Sequence, residues 1–166
     1  MKNYKFLWIL ILFLFCWHEL CAQGNIPAAN KKIVKYIESV IGKTVDRGEC
    51  WDLANEALIL VNGKWDHEFK YGKLLNPEKD TIYPGDIIQF KHVRTEIKTE
   101  HKDGSYEIQK ETMGQHTAIV YKVNSPGDFE IAHQNTGFSG KKVGISRLIL
   151  KTIKKGKIFI YSPVTE

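Results

Sequence analysis

The hydrophobic period of this chain changes once, at Tyr83, and that change bounds the folds open to it. Before Tyr83, apolar residues recur every three or four positions: Ile33, Ile37, Val40 and Ile41, then Leu53, Ala54, Ala57, Leu58 and Val61. Each set forms one stripe along a helix. After it come short apolar runs punctuated by Gly, Pro, Asn and Asp. Ile87 to Phe90, Thr117 to Val123, Phe129 to His133 and Lys157 to Tyr161 read as strands, with a strand or short helix near Val143 to Leu150. Two helices followed by strands on short connections give an α+β domain, with the helices packed on an antiparallel sheet.

The boundaries have local causes. The first helix runs from Ala28 to Ile41, and Gly42 stands where a C-terminal cap belongs. Asp46-Arg47-Gly48 leads into the second helix, which begins at Cys50 and meets a stop at Asn62-Gly63. Residues 62–80 form a polar loop carrying Trp65, Phe69 and Tyr71, of which at least two are expected in the core. Tyr83-Pro84-Gly85-Asp86 is a turn into the first strand. Residues 91–115 are heavily charged and read as a long exposed hairpin about Asp103-Gly104.

The N-terminus has a separate logic. Lys2 and Lys5 precede an apolar run from Phe6 to Trp17, and Leu20-Cys21-Ala22 follows. This is the pattern of a secretory signal peptide, with cleavage expected after Ala22. The run is shorter than the roughly 20 residues a membrane span needs, so no stable span is expected. Residues 23–166 are then a single exported domain, periplasmic or secreted, and a monomer is expected. Leu20 before Cys21 and Phe15 before Cys16 are bulky where a lipoprotein signal needs a small residue, which disfavours a lipid anchor.

Removing that segment takes Cys16 and Cys21 with it and leaves Cys50 as the one thiol, unable to form an internal disulfide. It also leaves 22 basic against 18 acidic residues, a mild positive charge suited to an anionic polymer such as a cell wall. There is no basic-aromatic alternation of the nucleic-acid-binding kind, and no nucleic-acid partner is expected.

Cys50 lies at a helix start, where partial positive charge and free amides stabilise a thiolate and lower the thiol pKa. A small buried hydrophobe at the same place is the plainer reading. His116 opens one strand and His133 closes the next, so both imidazoles can meet at one end of the sheet. A cysteine nucleophile needs an imidazole to take its proton and later protonate the leaving amine, and a third group to orient that ring. His133 suits the orienting role, with Gln134 and Asn135 beside it, and amides at the Cys50 helix start suit the oxyanion. His67, His92 and His101 lie in polar sequence and read as solvated. Cys50, His116 and His133 are also competent zinc ligands, but the paired spacings of structural zinc sites are absent, and no metal or other cofactor is expected.

Four stretches in order carry a resemblance: Gly48 to Ala54 (GECWDLA), Tyr83 to Phe90 (YPGDIIQF), Gly114 to Val120 (GQHTAIV) and Ile131 to Asn135 (IAHQN). Together they resemble the CHAP superfamily of cysteine- and histidine-dependent amidohydrolases and peptidases, relatives of the papain-like NlpC-type cell-wall hydrolases. The closing KIFIYSP at 157–163 resembles the family's last strand. The resemblance implies a papain-like fold, with Cys50 as nucleophile, His116 as general base and acid, His133 as orienter and Asn135 as a further site residue. It implies hydrolysis of an amide bond, most naturally in the peptide part of peptidoglycan. A non-catalytic binding module or a thiol acyltransferase on the same fold are the alternatives, although the Cys-before-His order disfavours permuted acyltransferases. Two features depart from the family: Gln115 separates Gly114 from His116, and the 91–115 connection is unusually long.

Overall fold

The computed structural model describes residues 25–165; the signal segment read at 1–22 lies outside them. Two helices lead, α1 (Ala28–Val40) and α2 (Cys50–Leu60). Six strands follow: β1 (Lys73–Leu75), β2 (Ile87–Glu100), β3 (Tyr106–Ser125), β4 (Asp128–His133), β5 (Gly144–Ile149) and β6 (Ile153–Ser162). They form one sheet in the order β1-β6-β2-β3-β4-β5, and every pairing is antiparallel.

Strand alternation divides the apolar residues between the two sheet faces. On one face, Ile87, Ile119, Ala132 and Tyr161 pack with Ile33 and Ile37 of α1 and Leu53, Ala54, Ala57 and Leu58 of α2. Ile88, Ala118, Val120, Phe129, Ile131 and Ile160 fill a second core on the other face, flanked by the partly buried Ile82, Leu150 and Ile153. Burying one such aliphatic side chain is worth about 1.5–3 kcal/mol, so neither half of the sheet can be dispensed with.

Helix α1 reaches the sheet through a close approach. Gly85, at φ +92°, leaves no room for a side chain: a Cβ would sit 2.8 Å from Asn30 Cα and its carbonyl oxygen. The Asn30 amide donates to Asp86 Oδ1 (2.8 Å) and to the Pro84 carbonyl, locking helix to turn. Asp86 also accepts from the Tyr83 amide at 2.8 Å. Burial pushes its carboxyl up to about 6 against these bonds.

Two readings of the sequence need amendment. The polar loop 62–80 contains the short edge strand β1, which pairs with β6; its alternation is too brief to register. Residues 91–115 form the hairpin expected about Asp103-Gly104, as the continuation of β2 and β3, but its base is not exposed: Val93, Thr95 and Met113 are buried. Only the turn is local: the Gly104 and His101 amides close it through the His101 and Ser105 carbonyls. The charged composition of this stretch concealed a kink. His92 takes φ +52°, and the pairing of β2 with β6 slips between Lys91 and Arg94. Gly156 permits it, since a Cβ there would fall 2.3 Å from the His92 carbonyl oxygen. The kink changes the alternation, so Phe90 and Val93, three apart, both enter the second core.

Candidate active site

Cys50 is the first residue of α2, and the chain before it is tied down on three sides. Glu49 and Asp52 form a capping box: the Glu49 side chain accepts from the Asp52 amide, and Asp52 accepts from the Glu49 amide at 2.9 Å. Asp52 is buried and also holds Arg47 at 2.8 Å, while the Arg47 guanidinium lies 4.6 Å over the Trp51 ring. Gln134, fully buried, supplies the third tie. Its amide donates to the Val45 and Glu49 carbonyls (3.0 and 2.8 Å) and its oxygen accepts from the Val45 amide (3.1 Å).

Gln134 and Asn135 directly follow His133, so the end of β4 fixes both halves of the site. Asn135, at φ +61°, donates to Glu49 Oε2 at 2.8 Å. It therefore latches the β4–β5 loop to the residue before the thiol. Lys141 adds a second contact to Glu49 at 3.3 Å.

The imidazoles come together as expected. His116 Nε2 and His133 Nδ1 are 2.9 Å apart, with the rings edge-on at 73°. His133 Nε2 in turn meets Ser146 Oγ of β5 at 2.8 Å. One tautomer set satisfies this relay with a free base at its end. His116 donates through Nε2–H to His133, His133 donates through Nε2–H to Ser146, and His116 Nδ1 keeps its lone pair. Burial lowers His116 to about 4. Burial, and then the neighbouring His116, lowers His133 to about 3. Both rings are neutral at pH 7.

Cys50 is a free thiol, partly buried. The helix-start argument predicts a lowered pKa, but burial dominates and pushes the thiol up. Hydrogen bonds from Thr117 and Trp51 oppose that shift, and Glu49 adds to it. The sequence places Thr117 in a strand but gives it no role at the site. Its hydroxyl donates to Gln89 Oε1 (2.7 Å) and lies 3.0 Å from the Tyr71 hydroxyl, a buried polar chain beside the sulfur. A threonine and a glutamine in otherwise apolar strands were the available signal; for Ser146, an ordinary strand serine, there was none.

Cys50, His116, His133 and Asn135 line one cleft of about 420 Å³, walled also by Trp51, Phe69 and the β3 residues Glu111 to Gln115. Its partial closure from water suits acyl chemistry, in which a sulfur, a base and helix-start amides act on one carbonyl. Of the three loop aromatics, Tyr71 is fully buried, Trp65 stacks on it at 5.1 Å, and Phe69 reaches the cleft. His67, His92 and His101 are exposed. Among the described residues no group of three or more His, Cys, Asp or Glu side chains is placed to hold a metal ion. Nor is any described helix long and apolar enough to cross a membrane.

No curated protein and no solved structure matches the chain. Residues 29–166 match the model of one family, described as the AIM3/BBC1 cysteine proteinase-fold domain. The match runs from α1 through the whole sheet. This chain belongs to the AIM3/BBC1 cysteine proteinase-fold domain family, and its fold is papain-like.

Proposed function

We propose that the domain is an exported cysteine hydrolase of the CHAP and NlpC type that cleaves an amide bond, with the peptides of peptidoglycan as its substrate. One observation carries this reading: His116 Nε2 is bonded to His133 Nδ1 beside the cleft that Cys50 also lines, and in the tautomer set in which His116 donates that bond, its Nδ1 is the proton acceptor.

In this mechanism Cys50 Sγ attacks the scissile carbonyl carbon while its proton passes to His116 Nδ1. The oxyanion is held by amides at the start of α2. Imidazolium at His116 is stabilised by the bond to His133, which Ser146 keeps in its tautomer. The tetrahedral intermediate collapses, the C–N bond breaks, and the amine leaves with the proton from His116. Water then attacks the thioester with His116 as base, and the acid product and free thiol are released. Thiol and imidazole begin neutral, because the thiol is raised and the imidazole lowered. Proton transfer therefore accompanies attack rather than preceding it.

The test is turnover of purified peptidoglycan by the mature protein, with fragments identified by mass spectrometry. Cys50→Ala should abolish product while leaving the thermal midpoint within a few degrees. Undiminished hydrolysis by that variant sinks the reading.

A second reading has its own support. A thiol pushed up beside imidazoles pushed down is also what a non-catalytic binding module would retain once a charged pair was no longer needed. It predicts that intact wall fragments bind without cleavage and that alkylation of Cys50 is insensitive to His116→Ala. A thiol acyltransferase would use the same residues and is distinguished by product, an amide or ester in place of the acid.

A further inference from the structure

Strand β3 is paired by β2 from Tyr106 to Ile119, but on its other side β4 joins only from Ile119 onward. From Tyr106 to Thr117 that second edge has no strand against it among the described residues. Such an edge presents unpaired backbone N–H and C=O groups and is a template for another chain. Of the devices that blunt such an edge, this stretch carries charges at Glu107, Lys110 and Glu111 but no proline. Its site-proximal part, Glu111 to Gln115, is a wall of the cleft.

Gly114 sits in the middle of that wall, and nothing within the chain asks for a glycine there. Its φ is not positive, and a Cβ built on it would meet nothing within 4 Å. Glycine inside a strand weakens it and marks a place where another backbone or a ligand comes close. No described part of this chain approaches Gly114, which leaves room there for a group from outside. Three residues away, Glu111 is exposed and its carboxylate has no hydrogen-bond or ion-pair partner among the described residues. Glu49, also in the cleft, is engaged by Asn135 and Lys141. The unneutralised charge in the cleft is therefore that of Glu111.

We propose that the Glu111–Gln115 edge of β3 binds an extended peptide as an added strand, with Gly114 at the point of closest approach and Glu111 pairing with a basic group on the peptide. This deepens the hydrolase reading, on which it rests for calling the peptide a substrate. Main-chain hydrogen bonds supply the affinity in strand addition, and side-chain contacts the selection. The β3 edge leads directly to His116, so a peptide laid along it is delivered to the cleft that holds Cys50. The extra length of the β2–β3 connection is then the groove wall.

The test uses the full chain carrying Cys50→Ala, immobilised and offered two pools of random hexapeptides, one with a fixed central lysine and one with a fixed central glutamate. The lysine pool should be retained at least tenfold over the glutamate pool. N-methylation of the backbone amides of retained peptides should abolish capture. Adding Gly114→Val should reduce capture tenfold or more with the unfolding midpoint unchanged or raised; if valine lowers the midpoint, Gly114→Ala takes its place. Glu111→Gln should bring the two pools level. Failure of the Cys50→Ala protein to capture either pool overturns the proposal, as does capture indifferent to N-methylation or to the Gly114 substitution. Capture by a protein without the thiol does not depend on turnover. If peptides are captured but purified peptidoglycan is left uncut by the unsubstituted protein, the hydrolase reading fails while the strand-addition site stands.

Discussion

The proton inventory of three side chains governs what this site does at a given pH. His116 and His133 are held near 4 and 3, below the ordinary histidine value near 6.5, because burial penalises the cation. An unfolded chain binds protons at both rings below pH 6.5 while the folded one does not. Their contribution to stability is therefore complete above pH 6.5 and is lost as pH falls through 4. Asp86 acts in the opposite sense. Its carboxyl is raised to about 6, so its contribution grows as pH falls from 6 and partly offsets the histidines. Urea midpoints followed from pH 7 to pH 4 should fall, and should fall more steeply in Asp86→Asn, where the offset is gone. For the thiol, iodoacetamide alkylation of the free protein should show a midpoint above the ordinary cysteine value of about 8.5, since burial raises it. At Ser146, loss of the hydroxyl leaves His133 Nε2 without its partner. Ser146→Ala should lower kcat/KM for the proposed amide cleavage by about tenfold, the equivalent of ~1.4 kcal/mol for one lost part-buried bond, and rescue by Ser146→Thr would separate tautomer control from packing.

At the scale of elements, the site depends on two loops being fastened to each other. Gln134 makes three buried bonds to the segment before α2, and none of its polar atoms is exposed to water that could replace them. Gln134→Ala should cost ~1–3 kcal/mol for each backbone group left unsatisfied, read as a drop in the urea midpoint, and should loosen Cys50 relative to His133. The α1 docking point behaves differently. Gly85→Ala places a methyl group against Asn30 backbone at a φ that L residues avoid, so thermal stability should fall even though no hydrogen bond is removed. Both helices and the strand bearing His133 were legible in the sequence, since each is short and strongly periodic. The base of the long β2–β3 hairpin was not. Val93 and Met113 are buried within a charged stretch, and the kink at His92 breaks the alternation that would have revealed them.

Over the whole molecule, one sheet carries two cores and the site sits where β4 ends beside the free edge of β3. Deleting bulk from the helix-facing core tests that division. Leu58→Ala should destabilise the domain by ~2–5 kcal/mol in urea denaturation, because Leu58 is fully buried between α2 and the sheet. What the sequence by itself determined is the part governed by neighbours along the chain. That part includes the change of period, the helix beginning at Cys50 and the turn at Asp103-Gly104, and it offers Cys50, His116, His133 and Asn135 as candidates. Only the tertiary structure decided which atoms meet: the His116 Nε2 to His133 Nδ1 bond, Ser146 behind it, Thr117 at the sulfur, and Asn135 tied to Glu49. It also reversed the expected shift of the thiol. A helix start favours the thiolate by a local, additive effect that sequence position reveals, whereas the desolvation that outweighs it depends on strands more than sixty residues away in the chain.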